Sequence, residues 1–234
     1  MLVDHDVLID AGTGVSDLTL SELEQIDHVF ITHSHLDHIA ALPLIVDTVG
    51  PMRQKPLTVH CTRATMGILR DHVFNWRIWP DFTEIPDKEQ PYLTWAPLEI
   101  GQTRMLGERR FTALPANHVV PAVGYCLDSG GASLVFTGDT TTNDALWAEV
   151  NKIGNLRYLI IETAFPNTER ELAVSSKHLC PSLLAEELAK LKRPARVFVT
   201  HLKPGAGTQT MAEVEEGLAE FNPRMLANGQ VFRF

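Results

Sequence analysis

Short apolar runs dense in Val, Ile, Phe and Tyr recur along the 234-residue chain, and stretches with apolar positions at helical spacing lie between them. "VLID", "HVFIT", "LTVHC", "RFTAL", "VGYCL", "SLVFTGD", "RYLIIET" and "RVFVT" read as strands, because β-branched and aromatic side chains fit a pleated, half-buried surface. The intervening spacing predicts helices over residues 39–48, 62–72, 143–153, 181–191 and 211–221. Such alternation indicates an α/β protein. Residues 75–101, rich in proline and tryptophan, break the rhythm and read as one long loop, of the kind that forms a lid or a binding wall. At the start, "MLVDHDVLIDAGTG" has neither the basic nor the apolar region of a signal peptide. It enters almost at once on a strand at residues 7–10, closed by a turn at Gly12 and Gly14. A strand so close to the first residue needs a neighbour, which suggests that residues upstream are missing.

The run "HVFIT" leads straight into His33, His35, Asp37 and His38, three histidines and an aspartate within six residues. Neutral imidazole offers a lone pair near physiological pH and is a good transition-metal ligand. By accident, H-x-H-x-D-H would occur roughly once in a thousand chains of this composition. Three other strand-like runs end close to a potential ligand: His118, Asp139 and His201. Donors delivered from several strand ends converge along one sheet edge, where the scaffold holds them rigidly. Five histidines and two aspartates are too many for one tetrahedral zinc and suit two ions sharing a carboxylate.

With these residues the chain resembles the metallo-β-lactamase superfamily, whose H-x-H-x-D-H stands here as "HSHLDH", followed by a lone His, an Asp in "GD" and a terminal His. The resemblance implies a four-layer αββα sandwich, here lacking part of the N-terminal hairpin. It implies that His33, His35 and His118 hold one metal and Asp37, His38 and His201 the other, with Asp139 between them. Within the superfamily, "FNWRIWPDF", "GYCLDSGGASLVFTGDT", "IETAFPN", "KHLCPSLLAEEL" and "THLKP" are similar to class II cyclic-nucleotide phosphodiesterases. That likeness implies hydrolysis of 3′,5′-cyclic nucleotides, cAMP or cGMP, to 5′-nucleotides by a metal-bridging hydroxide. The glycine often found soon after the motif is absent from "SHLDHIAALPLIVD".

The composition suits one globular domain over residues 1–234, with 44% apolar and 21% charged residues. No run of 18 or more apolar residues predicts a membrane span. A formal charge of −9 argues against an extended phosphate-backbone surface and leaves room for a small anionic nucleotide neutralised by metal. A homodimer stays open. Cys61, Cys126 and Cys180 are few and odd in number, which fits reduced thiols in the cytoplasm, and all three read as packing residues.

The proposed chemistry asks for more than metal ligands. Two divalent ions, with Zn2+ first and Mn2+ or Fe2+ as alternatives, would generate hydroxide at neutral pH, with Asp37 counted among the catalytic residues. The leaving alkoxide then needs a proton. His178 is the candidate donor and Glu162 its orienting partner, since related phosphodiesterases carry a non-ligand histidine in this order. Lys203 could contact a phosphate oxygen, and Trp76, Trp79 or Phe82 of the long loop could stack on a base. His5, His28, His60 and His72 read as structural, and no G-x-S-x-G elbow indicates a serine hydrolase. Two other readings share the motif: an RNase Z-like tRNA 3′-processing nuclease, and a thioester, lactone or β-lactam hydrolase. A purely structural metal is disfavoured because such sites are usually closed and cysteine-rich.

Overall fold

The computed structural model describes residues 1–234 as two compact units, Met1–Glu99 and Ile100–Phe234. Each carries one sheet and its own core.

In the first unit the sheet has five strands in sequence order: β1 (Leu2–Val3), β2 (Val7–Ile9), β3 (His28–Phe30), β4 (Leu57–Cys61) and β5 (Leu93–Pro97). β1 and β2 form a tight antiparallel hairpin, and the remaining pairs are parallel. The strand at residues 7–10 therefore has neighbours on both sides, β1 and β3. The helices are α1 (Leu20–Gln25), α2 (Leu36–Ile39), α3 (Leu42–Val49) and α4 (Arg63–His72). Thr19 and Glu22 start α1 with a capping box, and the Thr62 side chain accepts from Thr65 N to start α4, satisfying amides that no earlier turn can reach. Val29, Ile31, Leu57 and Val59 meet Leu42, Ile45, Val46 and Leu69 in the core.

Two sequence expectations are corrected here. The helix expected over 39–48 is two, broken where Pro43 can donate no amide hydrogen and starts α3; Ala41 N turns instead to Ala11 O at 2.8 Å. The loop expected over 75–101 contains β5, whose pairing with β4 was masked by the prolines around it. Before β5, Asn75, Asp81 and Asp87 each accept backbone amides two or three residues on, so the segment is a succession of side-chain-stabilised turns. Phe82 is 3% exposed inside the core and Trp79 packs against it, whereas Trp76 is 60% exposed on the turn after α4. Phe82 thus presents almost no free surface on which a base could stack.

In the second unit seven strands run in the order β12-β11-β10-β9-β8-β7-β6. They are β6 (Thr103–Leu106), β7 (Arg109–Pro115), β8 (Val123–Asp128), β9 (Ser133–Phe136), β10 (Leu156–Glu162), β11 (Arg196–Thr200) and β12 (Arg224–Met225). β6 to β9 are antiparallel and β9 to β12 parallel. The helices are α5 (Asp144–Val150), α6 (Arg170–Ser175), α7 (Pro181–Leu188) and α8 (Gly207–Gly217). Leu159, Ile161, Val197 and Val199 pack with Trp147, Leu184, Leu188 and Val214. Glu187 is buried among them and accepts from Asn143 N at 2.8 Å and Trp147 Nε1 at 2.6 Å, which anchors the start of α5 to α7. No helix is long and apolar enough to cross a membrane.

Burial predicts opposite outcomes for two aromatics of the same segment. Phe82→Ala should cost about 3–5 kcal/mol in a urea or thermal melt, and Trp76→Ala no more than about 0.5 kcal/mol. Equal losses would mean that both rings serve the core.

Candidate metal centre

In the first unit the donors are built around Asp10. It stands just past β2 with φ 59°, a left-handed conformation that aspartate tolerates better than most residues. Its Oδ1 accepts from Thr32 N at 2.8 Å, which ties it to the segment leaving β3. Its Oδ2 lies 2.7 Å from His38 Nδ1. A carboxylate there accepts the Nδ1 proton and leaves the lone pair on Nε2, the arrangement usual for a metal-ligating histidine. His33 Nε2 and His35 Nδ1 face each other at 3.1 Å, the His33 and His38 rings lie 4.1 Å apart, and Asp37 Oδ2 is 3.6 Å from His38 Nε2. The unit thus gathers all four motif side chains. Gly12 is required by this packing: a Cβ there would meet the Asp37 carbonyl oxygen at 1.6 Å. The turn reading of "DAGTG" missed both roles. The available signal was an acidic residue ending the strand beside the motif strand.

In the second unit three donors, His118, Asp139 and His201, leave the ends of strands. His118 follows β7, and its Nδ1 donates to Lys177 O at 3.1 Å, again leaving the lone pair on Nε2. Asp139 follows β9 across Gly138, whose φ of 60° favours glycine. His201 follows β11 with φ 63°, and its Nε2 lies 3.4 Å from Asp139 Oδ2. The donor atoms of Asp139, His178 and His201 all lie within 4.8 Å of one another. Lys203 Nζ sits 3.1 Å from His201 Nε2 and so occupies the lone pair that a metal would take, and the same ammonium lies over the Phe165 ring, 5.9 Å from its centroid. Metal binding requires that ammonium to move aside.

Glu162 ends β10 and is fully buried. It accepts three hydrogen bonds: from His178 Nδ1 at 2.7 Å, Thr140 N at 3.1 Å and Leu179 N at 3.2 Å. Burial raises its carboxyl more than the hydrogen bond from His178 lowers it, and the balance leaves it up at about 7. The His178 ring stacks on His201 at 5.1 Å and tilts over His118 at 4.9 Å. With Nδ1 committed to Glu162, Nε2 is the ring nitrogen left for other chemistry.

Both units therefore suit divalent metal: each presents imidazoles beside aspartate, with the opposite ring nitrogen of His38 and His118 held by an oxygen acceptor.

Comparison with known proteins places this geometry. Unliganded yeast PDE1 superposes with a TM-score of 0.77 at 21% identity, covering 89% of this chain and 68% of that one, and the fold is that of the metallo-β-lactamases. The matching family is the beta-lactamase superfamily domain, over residues 5–202, and the chain belongs to it. A probable 3′,5′-cyclic-nucleotide phosphodiesterase of Yersinia pestis is 28% identical over 209 residues, which cover 77% of this chain and 58% of that protein. The endoribonuclease ysh1 of Aspergillus fumigatus is 28% identical over 192 residues, 72% of this chain and 22% of that protein. The chain thus spans under two thirds of the first relative and about a fifth of the second.

Asp10→Ala should weaken Zn2+ binding by about 10- to 100-fold, the usual effect of removing a group that orients a ligating histidine. Competition against a chromophoric chelator measures it. Unchanged affinity would show that Asp10 does not orient His38.

Proposed function

We propose that this chain is a metal-dependent phosphodiesterase that hydrolyses 3′,5′-cyclic nucleotides to 5′-nucleotides. The observation that carries the reading is the Glu162–His178 pair. It is a buried carboxylate that holds one imidazole nitrogen, with the ring stacked on a candidate metal ligand. Acid chemistry of this kind is needed most where the leaving group is an unactivated alkoxide, such as the 3′-oxygen of a nucleotide. The family supports metal-dependent hydrolysis, and relatives named for this activity support the substrate class.

The ligand assignment proposed is the one implied by motif order. His33, His35 and His118 serve one ion and Asp37, His38 and His201 the other, with Asp139 shared. Two bound divalent ions, with Zn2+ favoured, supply Lewis acidity toward a phosphoryl oxygen and a nucleophile at neutral pH. The chain's own residues do the rest. Glu162 stabilises His178 as imidazolium, and Nε2 gives its proton to the departing 3′-oxygen. Lys203, displaced from His201, holds a non-bridging phosphate oxygen. Trp76, the exposed aromatic of its segment, is the candidate for contact with the base.

A second reading, RNA cleavage, is favoured by the endoribonuclease relative, whereas the charge of −9 weighs against an extended RNA surface. A panel of cAMP, cGMP and a short RNA, run on protein of measured metal content, separates the two. The expected outcome is two ions per chain and turnover of the cyclic substrates; RNA cleavage alone would install the second reading.

His178→Ala should keep both ions, slow cyclic-nucleotide hydrolysis by about 10²- to 10⁴-fold, and slow bis(p-nitrophenyl) phosphate much less, because nitrophenolate departs without a proton. Equal rate losses would remove His178 from the acid role. Loss of an ion would make it a ligand.

A further inference from the structure

α6 ends in a Schellman motif. His178 N donates to Ala173 O at 2.8 Å and Lys177 N to Val174 O at 3.2 Å. The residue that closes such a motif turns left-handed, and glycine fills the position without steric penalty. Here it is a lysine, with φ 54°. A strained position held by the wrong residue type asks what that side chain does.

Its two ends answer. The Lys177 carbonyl accepts from His118 Nδ1 at 3.1 Å, and the Lys177 ammonium donates to the His118 carbonyl at 3.2 Å. The two residues thus grip each other reciprocally. One bond sets the tautomer and direction of the imidazole, and the other holds the backbone from which that imidazole springs. Glycine at this position could make the first bond only. The next residue along the chain, His178, is held in turn by Glu162.

We infer that Lys177 is a positioning residue: its ammonium fixes the backbone of His118 so that the imidazole arrives pre-aimed at its metal. The inference rests on the reading of His118 as a metal ligand, and charge separates it from a trivial effect. A nearby ammonium repels a divalent cation, so if Lys177 acted by charge alone its removal would tighten metal binding. Positioning requires the opposite sign.

The test is the full chain titrated with Zn2+ alone, as wild type, Lys177→Gly and Lys177→Arg, with a thermal melt of each metal-free protein. Lys177→Gly suits the left-handed turn, so its melting temperature should hold or rise while Zn2+ affinity falls at least tenfold, the scale expected for an outer partner of a ligand. Lys177→Arg restores a cationic donor and should stay within about threefold of wild type, well inside that tenfold loss. Unchanged or tighter binding by Lys177→Gly, or an arginine variant closer to glycine than to wild type, would overturn the inference. So would a fall in affinity that merely follows a fall in melting temperature. A wild-type chain that binds no Zn2+ would overturn the metal reading of His118 and this inference with it.

Discussion

A buried imidazole can serve a metal or a substrate only if its other nitrogen is held, because an unheld ring populates both tautomers and several orientations. That constraint organises both units. Asp10 holds His38, the Lys177 carbonyl holds His118, and Glu162 holds His178. In each case holder and ring belong to different parts of the chain, so neither can be placed without the fold.

Strand register does the placing. In the second unit Ile160 of β10 lies opposite Phe136 of β9, and Glu162 lies opposite Thr200 of β11. Asp139, Glu162 and His201 therefore emerge at nearly the same level on one edge of three parallel neighbours. In the first unit Ile9 lies opposite Phe30, which brings Asp10 within reach of the Thr32 amide. A slip of one residue along either ladder would turn these side chains to the other face. The core residues between the ladders and their helices thus guard the register of the chemistry as well as stability.

The second unit buries two glutamates whose carboxylates are costly to bury unpaired, Glu162 on this edge and Glu187 on α7. Glu162 is offset by three donors, and Glu187 by Asn143 N, Trp147 Nε1 and Lys190 Nζ. Of the six non-glycine residues with left-handed backbone, Asp10, Lys177 and His201 lie in segments that carry or hold donors, whereas Asp4, Trp76 and Asn222 lie elsewhere. Such strain persists where surrounding bonds determine the conformation, as the paired bonds at Lys177 do.

Much was legible without coordinates. The eight apolar runs are strands because short continuous runs of buried β-branched and aromatic side chains leave a local mark, and H-x-H-x-D-H is local by its nature. Short or edge strands such as β1, β5, β6 and β12 left no such mark, since their pairing partners, not their own sequence, make them strands. Aromatic content could not say that Phe82 turns inward while Trp76 faces solvent, because burial is decided by what packs beside them. Nor could composition single out Asp10, Gly12 or Lys177, whose significance is a hydrogen bond or a close approach to a residue 25 to 59 positions away. By itself the sequence determined the candidate donors and the class of chemistry, because the capacity to bind metal is written in residue types. The tertiary structure alone decided which nitrogen of each donor is held and by what, because orientation comes from partners that only folding brings together.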